Sequence, residues 1–437
     1  MIHIAFYVAN EKIAGVDCRD ILQGNPGIGG SEYAILSIAT YLTANYSAWL
    51  TVEVFANAID KLPHGLNVTQ VKRFEELPAA LDKSRTEILV LKHSGEVPRE
   101  DSLRMFATHP VRIVMWAHNF MTRKELAYYA AHRSVSRIVT VSREQLDLYR
   151  DHRAFRKSVA IYNGFNLAPA QQPIPPFTAF KDRQPIVTYI GSLIPAKGFH
   201  VLAKAWPDVV HAIPAARLHV IGSGQLYDRN RKLGKLGVAE ESYERMFAKY
   251  ITDGNGSLLD SITFHGVLGI EKNNLLRITK VGVPNPSGNT ETFGYTALEL
   301  QAHGALVTTK KCPGYLETVF NGILYADSKD LAKTIVSLLK RNENNLDAFH
   351  RYAEEKFSFP VIAQQWHTLF GDIAAGTVRT AIAKPLNLGY RNKWLRELNR
   401  RLKAALPFGS ALPSVMFFEN AVDQAKRRVL VLLKRKA

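Results

Sequence analysis

Pro-Ser-Gly-Asn-Thr-Glu-Thr-Phe-Gly-Tyr-Thr-Ala-Leu-Glu-Leu-Gln-Ala-His-Gly, residues 286–304, reads as a polar turn feeding a helix. A β-rich run, Val281–Pro284, precedes it and another, Ala305–Lys311, follows it. Strand, helix and strand in alternation are the signature of a parallel sheet wrapped by helices. Within the stretch Glu291 stands in the turn and Glu299 on the helix. Eight positions at about 100° per residue make roughly 800°, so both carboxylates reach one ligand only if the first stands before the helix. Backbone N–H groups from Thr292 through Phe293 and Gly294 to Tyr295 would be the unpaired donors of the helix start, suited to a phosphate. Two readings stand at this point: a capped helix with two solvated glutamates, or a site holding hydroxyls beside an anion.

Working outward, the same alternation fills the chain. Candidate strands are 2–8, 51–56, 87–92, 111–118, 137–142 and 158–162 in the first half, and 186–192, 217–222, 261–267, 281–284, 305–311 and 322–325 in the second. The expected fold class is α/β, with two Rossmann-like doubly wound parallel-sheet domains facing a cleft. The divisions expected are a first Rossmann-like domain 1–167, a Pro-rich linker 168–185, a second Rossmann-like domain 186–359, a returning helix 360–376 and a basic extension 377–437. The polar segment 228–256 reads as an excursion from the second domain. In the first half Gly-Ile-Gly-Gly-Ser-Glu, 27–32, opens an apolar-periodic helix, so Gly29 and Gly30 would let a ligand approach the backbone. Gly222-Ser223-Gly224 ends a strand in the second.

Composition bounds the class. With 437 residues, 46% hydrophobic and 22% charged, the chain is a folded protein of two or three domains. Two distant cysteines, Cys18 and Cys312, give neither a disulfide framework nor a zinc pattern, which fits a reducing cytoplasm. The start reads as a strand rather than a signal peptide, and no apolar run approaches the ~18 residues of a membrane span. Of the net charge of +17, a large part sits in Lys384–Ala437, where 13 Lys and Arg face three acidic residues. Trp394, Leu395, Leu398 and Leu402 recur there at helical spacing. Such segments lie on an anionic membrane surface, or pack on the protein's own body with their charged faces in solvent.

Gly29-Gly30-Ser31-Glu32, then Gly191-Ser192-Leu193 with Lys197-Gly198, then Glu291 and Glu299, taken in this order over residues 1–375, resemble the retaining nucleotide-sugar glycosyltransferases of family four, with the GT-B architecture. The resemblance implies that Lys197 stabilises the leaving diphosphate, that Glu291 holds the donor sugar and Glu299 the ribose, and that His118 lies beside the transferred sugar. Gly191, Ser192, Gly222, Gly224, Thr292, Phe293, Gly294 and Tyr295 would shape the nucleotide pocket. It implies transfer of a hexose or derivative from a nucleoside diphosphate to a glycan or lipid-linked acceptor in polysaccharide or glycoconjugate synthesis, by front-face displacement with retention. No cofactor and no metal are expected. The family usually has arginine where this chain has Ser192, so one cation is missing, and the positions of Arg277 and Lys280 are not legible. Nucleic acid is not an expected partner, whereas an anionic membrane surface at Lys384–Ala437 is. An epimerase or hydrolase on the same architecture, and a non-catalytic basic binding module, remain as alternatives.

Overall fold

The computed structural model describes residues 1–93, 102–171, 179–289, 291–377 and 382–434. The Pro-rich linker and the basic end therefore lie partly outside the described residues. Seven strands form the first sheet: β1 Ile2–Val8, β2 Leu50–Ala56, β3 Asn67–Gln70, β4 Ile88–Lys92, β5 Arg112–Ala117, β6 Val135–Thr140 and β7 Ser158–Ala160. Six form the second: β8 Ile186–Ile190, β9 Arg217–Ile221, β10 Ile262–Gly266, β11 Val281–Gly282, β12 Leu306–Lys310 and β13 Ile323–Tyr325. All pairings are parallel, in the orders β3-β2-β1-β4-β5-β6-β7 and β10-β9-β8-β11-β12-β13. Strand order reverses beside β1 in one sheet and β8 in the other. Each reversal opens a crevice at the carboxyl ends of the strands, where open α/β sheets bind ligands.

The two-domain α/β reading is what the structure shows. β3 was not legible, because Asn-Val-Thr-Gln offers a single apolar side chain on an exposed edge. The segment 228–256 is not merely an excursion: it contains the helix Glu241–Ile251, whose Tyr243, Phe247 and Ile251 enter the second domain's core. Three apolar residues at a spacing of four, set among charges, escape a composition-based reading but suffice to dock one helix face.

The helix Phe359–Ala374 carries the chain back to the first sheet. Its Trp366 ring lies 4.7 Å from Trp116 and 6.3 Å from Phe6, and Ile362, Leu369 and Phe370 are buried with them. The two crossings between domains run side by side: Phe165 forms a parallel bridge with Ser358, and its N–H donates to the carbonyl of Phe357 at 2.7 Å. Adjacent crossings define one short axis as the hinge about which one domain can turn against the other.

Beyond the return lie the helices Lys393–Ala405 and Val415–Lys434. The first packs with its charged face inward. Lys393 is wholly buried against Glu144, with Asp147 at 3.7 Å, and Arg396 is buried beside Asp151 at 3.8 Å. The expectation of solvated charged faces is corrected at these positions. Glu144, Asp147 and Asp151 on the first domain are buried acids, and the C-terminal segment compensates their lost hydration with Lys393 and Arg396 and with neutral donors, the Asn387 amide on Glu144, the Leu386 N–H on Asp147 and the Asn399 amide on Asp151.

Candidate functional site

A cavity of about 670 Å³ lies between the domains. Its walls come from the carboxyl edges of both sheets, at Val8 ending β1, Lys92 ending β4, His118 after β5, Ile190 ending β8 and Gly191 after it, Ile221 ending β9 and Gly222 after it, and Asn285 after β11. Both topological switch points thus open into one space.

The turn before the helix Tyr295–Ala302 is built by Asn285, whose φ of 37° is left-handed. Its amide donates to the Asn289 carbonyl at 2.9 Å and to the Glu291 carboxylate at 3.1 Å. Ser287 donates to the Ala196 carbonyl at 2.6 Å, and a Cβ on Gly198 would meet Ser287 at 2.6 Å, so the Lys197 loop and the Glu291 turn are held in contact. The outcome is a Lys197–Glu291 ion pair at 2.9 Å. Burial opposes the Lys197 charge, but the carboxylate more than offsets it, and the ammonium is held above its ordinary pKa. With three N–H donors and one engaged by Glu291, Lys197 keeps capacity for an anion.

Glu299 pairs with Lys272 at 3.0 Å, and Lys272 also donates across the cleft to the carbonyl of Asn25 at 3.1 Å. Asn25 in turn receives the N–H groups of Gly27 and Ile28 on its side chain, each at 2.9 Å, and so shapes the Gly-rich loop. Arg229 donates to the carbonyl of Gly27 at 2.6 Å, and Thr292 to that of His118 at 2.6 Å. With the Tyr295 hydroxyl donating to the Gly164 carbonyl at 3.1 Å, these are polar ties between the two domains at the cleft.

His118 and Asn163 line the cavity with Nε2 and Oδ1 buried and without a hydrogen-bond partner. Buried polar atoms in a cavity wall are satisfied by ordered water or by a ligand's polar groups. Burial, with the Lys92 ammonium adding to it, pushes the His118 pKa down to about 3. The imidazole is therefore neutral near pH 7, able to donate through one nitrogen and accept through the other. His152 and His303 are likewise pushed down to about 4, chiefly by burial. Because the folded values lie below the unfolded value of about 6.5, the unfolded chain binds more protons in this window, and stability falls as pH drops from about 6.5 toward 4. Thermal unfolding at pH 5 should occur several degrees below that at pH 7.5.

Other expected site residues divide. Gly29, Gly30, Gly191, Ser192, Gly222, Thr292, Phe293, Gly294, Tyr295 and Glu299 all line the cavity. Gly222 has a packing reason for being glycine: its φ is 137° and a Cβ would come within 1.9 Å of the Gly191 carbonyl. Gly224 is not part of the lining; its Cα faces Ala239, 2.9 Å from a would-be Cβ, because the loop folds back there. Ser192 is wholly buried and its hydroxyl donates to the Ser223 carbonyl at 3.3 Å, so that donor is already engaged. Neither Arg277 nor Lys280 replaces the missing cation: Arg277 donates to the Pro169 carbonyl, and Lys280 lies over the Phe180 ring. Arg231 does line the cavity, half-exposed and 3.8 Å from Glu240. Sequence reasoning missed Lys272 and Arg231, whose partners lie outside any local motif, and also Asn25 and Asn285, which bond close neighbours but read as ordinary turn residues. Among the described residues no cluster of three or more His, Cys, Asp or Glu could hold a metal.

Residues 184–341 match the family model described as Glycosyl transferases group 1, which spans the second domain and about a third of the chain. A glycosyltransferase from Rickettsia africae ESF-5 superposes with a TM-score of 0.62 at 15% identity, over 86% of this chain and 99% of that one. The architecture is GT-B. TarM superposes with the same TM-score of 0.62 at 11% identity, over 85% of this chain and 99% of that one. An α,α-trehalose-phosphate synthase (UDP-forming) from Burkholderia vietnamiensis gives 0.58 at 13% identity, over 87% and 98%. No curated protein sequence matches the chain. The family match together with GT-B neighbours supports a glycosyltransferase, and the cavity is the cleft between its two domains.

Proposed function

We propose that this GT-B chain is a retaining hexosyltransferase that takes a hexose or derivative from a nucleoside diphosphate and passes it to a glycan or lipid-linked acceptor. The observation that carries the reading is the meeting of the Lys197–Glu291 pair, before the helix Tyr295–Ala302, and the Lys272–Glu299 pair, within it, in a cleft between two sheet edges. Glu299 and Lys272 would receive the ribose, the first turn of the helix and Lys197 the diphosphate, and Glu291 with His118 the sugar hydroxyls. As the glycosidic bond to the leaving phosphate breaks, charge grows on that oxygen, and a fixed ammonium beside it lowers the barrier. The same oxygen would take the acceptor's proton as the new bond forms on the face just vacated. These groups meet the diphosphate charge without a metal ion. Rotation about the paired crossings would exclude water that otherwise hydrolyses the donor.

With Ser192 in place of the usual arginine, Arg231 is the cavity-lining guanidinium that would meet the distal phosphate. Arg231→Ala should lower kcat/KM for the donor about tenfold or more, with a smaller loss for Arg231→Lys. A uridine donor is the first to try, since one neighbour is named UDP-forming. The reading as a whole is tested by NMR of the product made from uridine- or guanosine-diphosphate hexoses and a simple alkyl glycoside. The donor's anomeric configuration should be kept. An inverted product, or hexose released to water at an unchanged rate whether or not the glycoside is present, would overturn it.

A further inference from the structure

The helix Lys393–Ala405 is turned inside out. At about 100° per residue, Lys393, Arg396, Arg400 and Lys403 share one face, and Trp394, Leu395, Leu398 and Leu402 the opposite one. The charged face is the one that packs, with Lys393 on Glu144, Arg396 donating to the Leu148 carbonyl at 3.0 Å and Lys403 to that of Asp151. The apolar face looks outward: Trp394 is 54% exposed, Leu398 46% and Leu402 42%. Leu406 and the 84% exposed Phe408 follow it beyond the helix, and the helix Val415–Lys434 carries Phe418, Val422 and Val429, also exposed. An apolar stripe of this length facing water is not what a free surface carries.

The surrounding charge identifies what fits it. Arg391 and Lys426 are exposed beside the stripe, as is Arg401, which pairs with Glu397 at 3.0 Å, whereas the acids Glu397 and Glu419 are also turned to Arg400 and Arg396. Asp423 is the one acidic residue left outward among the described residues of the two helices. A second copy meeting this face through a two-fold axis would set cations against cations. No helix of the described residues is long and apolar enough to cross a membrane.

We propose that these two helices lie in the headgroup layer of an anionic bilayer, with Trp394, Leu398, Leu402 and Phe408 inserted and the exposed cations on lipid phosphates. The surface adjoins the cleft: the Arg391 guanidinium stands 5.8 Å over the Phe120 ring, next to cavity-lining Asn119. An acceptor carried in the same bilayer would reach the first domain's wall, a step that rests on the transfer reading, whereas docking does not.

Flotation of the full chain with phosphatidylcholine vesicles, with and without phosphatidylglycerol, tests docking without any transfer reaction. The protein should float with the anionic vesicles only, less so at high salt, and Leu398→Gln/Leu402→Gln should reduce the bound fraction at least about tenfold at unchanged thermal stability. Failure of the wild type to float, or equal flotation of the double variant, would overturn the proposal. So would a lipid-free dimer in light scattering that the double variant splits into monomers, since the stripe would then be a subunit interface.

Discussion

Lys197→Met should reduce kcat for transfer by about 10²–10³-fold while shifting the donor's KM far less. The asymmetry follows from what the ammonium faces. In the ground state it meets a diphosphate whose charge is already spread over several oxygens and shared with the helix start. As the bond to the sugar breaks, one more charge collects on the bridging oxygen, and a fixed cation gains most there. Ser287, Gly198 and Asn285 fix that cation by locking the Lys197 loop to the Glu291 turn. The fold should survive, because Glu291 retains the Asn285 amide and opens onto the cavity. Steady-state kinetics with thermal unfolding as control checks both parts. A variant that changes only KM would make Lys197 a binding residue.

The second large effect concerns stability. Lys393→Met should cost about 3–5 kcal/mol, because it strands the Glu144 carboxylate, buried and keeping only the Asn387 amide. Burial pushes the Glu144 pKa up, with Lys393 opposing, so removing the ammonium leaves the carboxyl still higher or forces water inward. Glu144→Gln combined with Lys393→Met should recover much of the loss, since the price of a lone buried charge disappears when both are gone. Denaturant unfolding of the two single variants and the double variant measures this coupling. Additive losses would mean that the pair contributes nothing as a pair.

Much of this was legible from residues alone, and the reasons differ by level. Parallel sheets announce themselves through apolar runs separated by helical periodicity, so twelve of the strands stood out and only the polar edge β3 did not. Glu291, Glu299 and Lys197 stand in local motifs, and the structure brings them to one cavity. Lys272 and Arg231 are ordinary surface-like cations until tertiary contacts place them. The helix Lys393–Ala405 shows the limit most clearly. Its period was readable, but the face that would pack was not, because burying lysine and arginine depends on Glu144, Asp147 and Asp151 more than 200 residues earlier.

Calorimetric titration of uridine, guanosine, adenosine and thymidine diphosphates into the wild type and Glu299→Gln tests the central claim most directly. The wild type should bind at least one of the four, and Glu299→Gln should bind it about tenfold or more weakly through the lost ribose acceptor. No binding of any of the four by the folded wild type, or equal affinity in the variant, would contradict the assignment of this cleft as a nucleotide-sugar site.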